Sequence, residues 1–352
     1  MKKREDSWNK RMGRKGKRRL LDMLLKSVGP VQEKPQFTGK LSTLCILAQE
    51  KLGDAILLTP LIKALKDAHP ELDIHIVAYS DIASFFEQDP HVTRVHKGKN
   101  DYWNLYQSAR KHRFDLLFNT KDHASFTFLY QSRLIPARFR VGIAHPAHTG
   151  FYDYLIPTVF HQHIIDKYLS LLDFLKLPYD ADQCRPYIPE TPIRPPVKDF
   201  VRRLQSQNVV GLNLSAGEPD REWSLNKWRD LLGRIADPCI LLATGSRIAD
   251  KISLEKECAH VIQSPVTQSF YEAAYIIQGL RYLISPDTSL IHVASGYKIP
   301  VIGLYRADKD HYSRFAPYRV PHRQCISPTF RIEDIEVDTV IRQFESLREA
   351  FR

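Results

Sequence analysis

Two doubly wound α/β domains in one chain are what this sequence predicts, and three observations predict them. At 352 residues it is too long for one ordinary core and suits two domains of about 150 residues each. Strand-like and helix-like patterns alternate through most of it, which implies parallel sheets covered by helices on both faces. Near the middle the alternation stops at a proline-dense stretch and then starts again.

The elements follow in order. LSTLCILA (41–48) is a mostly apolar run of the kind that forms a buried parallel strand. The loop QEKLGD leads to a helix predicted over 55–69, with Asp54 at its N-cap or first turn. DIHIVAYS (73–80) reads as a strand, DIASFFEQ (81–88) as a short helix and HVTRVH (91–96) as a strand. YWNLYQSARKH, DLLFNT, ASFTFLYQSRL and RFRVGI continue the alternation, and HIIDKYLSLLDFLKL (163–177) is helical. PYDADQCRPYIPETPIRPP (178–196) then holds six prolines. Proline fixes φ and removes a donor, so an extended interdomain linker is expected, placed at 186–206. Beyond it, NVVGLNLS, CILLATG, RYLISP and PVIGLY are strands, separated by the helices LNKWRDLLGRIA, SFYEAAYIIQGL and SLIHVASG. An amphipathic helix occupies 331–352. The expected domains are therefore 40–185 and 207–330, with the ligand site in the cleft at the strand carboxyl ends.

Residues 1–39 form a basic arm. The first 40 residues carry 13 Lys or Arg against four acids, so most of the net charge of +11 resides there and the body is close to neutral. The arm also holds Leu20, Leu21, Met23, Leu24 and Leu25. Two readings stand: an attachment to an anionic membrane surface or phosphorylated glycolipid, and a solvated tail. No aromatic-interleaved basic stripe or zinc-finger spacing marks the body, so nucleic acid is not an expected partner. No run approaches the roughly 20 apolar residues of a membrane span, and no apolar h-region follows the basic start. The five cysteines are scattered, without a CxxC pair, which predicts no disulfide framework and a cytoplasmic location.

Walker A and GxGxxG loops are absent, against a P-loop kinase or a dinucleotide oxidoreductase. Three loops at strand ends carry the chemistry instead. Gly53 permits a tight turn, and Asp54 opens a helix, where it serves as a cap, as a base, or both. Ser215 and Gly217 leave room for a phosphate that Arg221 could neutralise, while Trp223 reads as a packing anchor. Asp287, Thr288 and Ser289 begin a helix whose N–H groups suit a diphosphate. His292, four residues after Thr288, faces the nucleotide or is structural. His161, His163 and Asp166 imitate a metal cluster but match no ligand spacing, so no metal site is expected. Lys121, His123 and Arg133, with Arg138, Arg140, Phe151 and Tyr152, make the first half's loops basic and aromatic, suited to an acceptor.

With these residues in place, the chain resembles the ADP-heptose:lipopolysaccharide heptosyltransferases over roughly 41–310. LGDAILLTPLIKALKDAHPELDIHIVA looks like the family's opening motif, DREWSLNKW its basic-residue–Trp motif, and SPDTSLIHVASGYKIPVIGLY its Asp-Thr-Gly-x-x-His segment. Ser224 stands where a proline is common, Ser289 where glycine is usual, and Glu218 and Asp220 make the second loop unusually acidic. The resemblance implies a GT-B fold of two Rossmann-like domains facing across a cleft. It also implies an inverting, metal-independent transfer of heptose from ADP-heptose, with no cofactor. Asp54 is then the general base and Gly53, Lys121, His123 and Arg133 stand on the acceptor side. Ser215, Gly217, Arg221, Asp287, Thr288, Ser289 and His292 hold the nucleotide-sugar donor. The implied acceptor is the phosphorylated lipopolysaccharide core, Kdo–lipid A or a heptose on it, reached at the inner face of the cytoplasmic membrane.

Overall fold

A computed structural model describes residues 29–98 except 33, then 107–204 and 207–350, together with the isolated positions 16, 19 and 23. Most of the basic arm, including Leu20, Leu21, Leu24 and Leu25, lies outside the described residues, as does the first part of the helix expected over 102–112. The described chain divides into two compact units. The first comprises Met1–Ala55, Leu61–Phe160 and Asp166–Tyr179, and the second Ile56–Pro60, His161–Ile165 and Asp180–Arg352.

The first unit is built on β1 (Thr43–Leu47), β2 (Asp73–Tyr79), β3 (Arg94–Gly98), β4 (Phe114–Asn119), β5 (Ala137–Ile143) and β6 (Tyr154–Ile156), all parallel, in the order β3-β2-β1-β4-β5-β6. That is the doubly wound order, and it reverses between β1 and β4. The cause is visible in β1, where Leu44, Cys45, Ile46 and Leu47 are all fully buried. A strand sandwiched between two helical layers needs apolar side chains on both faces, each contributing about 1.5–3 kcal/mol. Helices α1 (Leu52–Ala68), α2 (Ser80–Glu87), α3 (Phe126–Leu134) and α4 (Ile164–Leu175) accompany this sheet. Pro60 sits inside α1. The strand β6 was not anticipated.

The second unit contains β7 (Val210–Asn213), β8 (Cys239–Leu242), β9 (Tyr282–Pro286), β10 (Val301–Tyr305) and β11 (His322–Ile326), parallel throughout, in the order β11-β10-β9-β7-β8. Its helices are α5 (Pro195–Leu204), α6 (Leu225–Arg234), α7 (Arg247–Glu257), α8 (Phe270–Ile277), α9 (Ser289–Gly296), α10 (Lys309–Tyr312) and α11 (Val337–Glu349). Trp223 and Trp228 are fully buried and meet edge to face at 4.9 Å, and the Trp223 indole donates to the Ile335 carbonyl at 3.1 Å. Trp223 is a packing anchor, as its position suggested.

The expected linker differs most from the structure. Residues 195–204 are not extended but form α5, with Val197, Phe200, Val201 and Leu204 buried. Pro195 and Pro196 fall in the first turn, where a missing N–H costs nothing. Arg194 anchors the preceding strand-like segment through two bonds to the Glu272 carboxylate, at 2.5 and 2.8 Å. The carbonyl of Pro186 also lies so near Gly296 that a Cβ there would stand 2.5 Å from it. The last crossing of the chain from the first unit to the second falls at Tyr179–Asp180. Among the described residues no helix is long and apolar enough to cross a membrane.

Candidate functional site

Each sheet presents its candidate residues at the carboxyl ends of the two strands that flank its order reversal. In the first unit these are the ends of β1 and β4. Helix α1 begins at Leu52 rather than at 55, with Lys51 as its N-cap, so Gly53 is helical and Asp54 is the third residue of the first turn. Gly53 has no left-handed φ, and the turn expected there does not occur. A carboxylate at that position can reach back to the capping N–H. The Lys51 backbone does give Asp54 a hydrogen bond, so part of its role is structural.

The environment nevertheless makes Asp54 a stronger base than a surface aspartate. Burial pushes its carboxyl up, Lys121 draws it down and Glu50 pushes it up again. Lys121 follows β4 and is buried, its ammonium donating to Gln49 at 3.1 Å and Glu50 at 2.7 Å while lying 4.9 Å from the Phe128 ring centre. The Gln49 amide in turn donates to the Thr120 carbonyl and to the Tyr168 hydroxyl at 2.8 Å. Burial raises the Tyr168 hydroxyl far above its usual range, and the charges of Asp54 and Asp122 add to this. Behind this group, Lys167 and Asp122 form an ion pair at 2.7 Å that is almost fully buried. Gln49, Glu50 and Tyr168 are the members that sequence reasoning missed, although the first two lie in the same strand-end loop as Asp54.

The other residues expected on the acceptor side do not gather here. His123 is half-exposed beside Asp122, at 3.3 Å. Arg133 lies in the last turn of α3, which leads back to the amino end of β5, and donates to the Gly29 carbonyl at 2.9 Å. In a parallel unit that is the sheet edge opposite Lys121. Arg140 spends its guanidinium on the carbonyls of Ser132, Ala137 and Ile135, while Phe151 and Tyr152 are core residues.

In the second unit the flanking strands are β7 and β9, and one buried amide joins their ends. Asn213 donates to Ser285 Oγ at 3.0 Å and to Thr288 Oγ1 at 3.1 Å, and its oxygen accepts from the Ser215 N–H at 3.2 Å. Ser215 Oγ then accepts from the Thr244 N–H at 2.8 Å, fixing the end of β8 as well. Thr288 is the N-cap of α9 and Ser289 its first residue, so the Asn213 bond to Thr288 holds the start of that helix. Space around Gly217 is open.

The acidic loop that departed from the family pattern is neutralised internally. Arg221 pairs with Asp287 at 3.2 Å and Glu218 at 3.5 Å, and donates to the Asp287 carbonyl. Arg306, which immediately follows β10, pairs with Asp220 and Glu218. Asp287 also meets His311 at 3.0 Å. Burial alone would raise its carboxyl, but the His311 hydrogen bond and the nearby His311 and Arg221 hold it below the usual range. Arg306 and His311 were not singled out from the sequence, though a basic residue directly after a strand is the available signal.

His292 is buried and neutral. Burial, opposed by Asp287 and assisted by His163 and His311, pushes its imidazole down to about 3. Its Nδ1 and the buried Tyr305 hydroxyl find no hydrogen-bond partner among the described residues. The Asp287 charge acts on both. A buried polar atom left unsatisfied costs about 1–3 kcal/mol, which a polar ligand could recover.

Metal-like constellations fall elsewhere than the sequence suggested. His161 and His163 hydrogen-bond Ser313 and the Ala316 carbonyl, at 3.2 and 3.0 Å. Three other histidines, His75, His96 and His112, bring ring nitrogens within 4.8 Å of one another. Burial lowers all three imidazoles, His75 to about 4 and His96 to about 3, with Arg94 adding to the effect on each.

Two doubly wound units in one chain, each with a polar constellation beside its order reversal, are the architecture of the GT-B fold. The model of glycosyltransferase family 9 (heptosyltransferase) matches residues 102–337, and the chain belongs to that family. It is 22% identical over 281 residues to lipopolysaccharide heptosyltransferase 3 of Escherichia coli, covering 74% of this chain and 82% of that protein. A family 9 glycosyl transferase from Veillonella parvula superposes with a TM-score of 0.69 at 16% identity, over 90% of this chain and 99% of that one. The Escherichia coli heptosyltransferase WaaC with ADP gives 0.67 at 16% identity, over 87% and 98%. The protein is a glycosyltransferase.

Proposed function

We propose that this enzyme moves heptose from ADP-heptose to the lipopolysaccharide inner core, on Kdo–lipid A or a core heptose, by a metal-independent inverting displacement. The observation that carries the reading is Asp54, a carboxylate made more basic by burial in the first turn of a helix at the sheet's order reversal. Asp54 takes the proton of the acceptor hydroxyl as that oxygen attacks the anomeric carbon. The bond from that carbon to the diphosphate breaks on the opposite face, and ADP departs with the electron pair. Leaving-group charge falls to the N–H groups at the start of α9 and to Arg221, held ready by Asp287 and Glu218. Ser215, Gly217, Thr288 and Ser289 are the remaining donor contacts, and Gly53 and Lys121 those nearest the acceptor hydroxyl. The names of the relatives, lipopolysaccharide heptosyltransferase 3 and the lipopolysaccharide core heptosyltransferase OpsX of Haemophilus influenzae, support this choice of sugar and acceptor.

Purified chain incubated with a panel of sugar nucleotides and truncated lipopolysaccharides, read by mass spectrometry, tests it. Gain of one heptose residue from ADP-heptose alone is the expected result. Transfer of another sugar, transfer only to protein, or no transfer from any donor overturns the assignment. The basic arm supplies peripheral attachment to the anionic inner face of the cytoplasmic membrane. Removing residues 1–39 should lower vesicle binding and glycolipid turnover while leaving turnover on a soluble acceptor intact.

A further inference from the structure

We infer that His75, His96 and His112 form a binding site for one divalent transition-metal ion of the zinc class. The three residues come from separate elements, β2, β3 and the turn leading into β4, which the parallel register brings together. Their ring centres stand 4.7, 5.1 and 5.4 Å apart. His75 Nδ1 and His96 Nε2 are 2.9 Å apart. Imidazole nitrogens on a tetrahedral ion at about 2.0–2.1 Å stand about 3.3 Å from one another, so this pair needs to open by only a few tenths of an ångström. The His112 nitrogen, within 4.8 Å of the others, closes on the ion by a turn of its half-buried ring.

Ring orientation is already set from behind, because His96 Nδ1 bonds Ser108 Oγ at 2.9 Å, an outer contact of the kind that orients a metal-ligating histidine. Phe114 closes the pocket, 5.1 Å from His75 and stacked on His112 at 5.9 Å. Three neutral nitrogen ligands suit zinc, cobalt, nickel or copper, and exclude the oxygen-seeking magnesium and calcium. The exposed Arg94 guanidinium, 3.5 Å from His112 Nε2, must turn out to solvent as the ion enters. His112 is only half-buried, leaving a side for ion entry and a fourth ligand from water. The ion would tie three elements of the first unit together and takes no part in the transfer step.

The test uses the full, untagged chain stripped by a chelator. Cobalt(II) added stepwise should give the visible bands of a tetrahedral nitrogen site, saturating at one equivalent and reversed by zinc. Excess zinc at about a hundred times its Kd should raise the thermal midpoint by about 5–10 °C. His112→Ala, chosen because this side chain is the least buried of the three, should abolish both effects, whereas His322→Ala should not. Absence of saturable one-to-one cobalt binding by the stripped wild-type chain overturns the site whatever the variants do. Binding that survives unchanged in a folded His112→Ala chain overturns it equally.

Discussion

Replacing Asp54 by Asn separates a catalytic carboxylate from a structural one. The amide keeps an oxygen that can accept the Lys51 backbone hydrogen bond, so the start of α1 should persist. What is lost is the proton acceptor, worth about 10²–10⁴ in rate, or about 3–5 kcal/mol of barrier. Stability should move the other way. Because burial raises the Asp54 carboxyl above its unfolded value, the folded chain holds the extra proton in the interval between the two. Wild-type stability therefore falls as pH rises through that interval, and the penalty persists at neutral pH. The Asp54→Asn chain carries no such penalty, but forfeits the favourable placement of an anion at a helix start, about 0.3–1 kcal/mol. The net change should lie within about 1 kcal/mol. Steady-state transfer to a truncated acceptor, followed across pH, gives the decisive profile. The wild-type acid limb should be displaced upward from the ordinary carboxylate range, and the variant's residual rate should lack that limb. A folded Asp54→Asn enzyme with turnover within about threefold of wild type would refute the base assignment, since losing a general base costs far more.

Three further outcomes follow from the hydrogen-bond and ion-pair geometry. Asn213→Ala removes three bonds and strands a hydroxyl and an N–H inside the second unit, so it should cost about 2–4 kcal/mol in denaturant unfolding and raise KM for the donor more than it lowers kcat. Lys167→Met leaves Asp122 charged and buried, with an expected loss of about 3–5 kcal/mol, and Lys167→Met with Asp122→Leu should recover part of it in the same assay. Arg221→Gln should lower kcat/KM for the intact donor much more than it weakens binding of adenosine, which brings no diphosphate, as measured by calorimetry.

Where the sequence was legible, a strong local signal agreed with the final packing. The helix expected from Ser289 to Gly296 has those bounds, because a strand of five buried residues delivers the chain straight into it. Helix α5 was illegible because six prolines read as linker, and nothing local says that two of them begin a helix with an apolar stripe. Helix α7 (RIADKISLEKE) is not legible, because its charged surface hides a thin buried face around Lys251 and Leu254. The loops holding Asp54, Arg221 and Asp287 were legible because strand ends are where doubly wound sheets keep their ligands. Their partners were not: Arg306 reaches Asp220 across 86 residues, and His75 meets His96 only through the pairing of β2 with β3. Arg133 and Tyr152 show the converse error, in which a basic or aromatic residue near a loop in sequence is consumed by the scaffold.

Asn213 has a consequence for anyone who would alter donor choice. A single amide holds the tips of two neighbouring strands and, through Ser215, a third, so these loops are not independent dials. Varying one of them alone should mostly yield slackened proteins, whereas libraries that change 213, 215, 285 and 288 together can trade one complete set of hydrogen bonds for another.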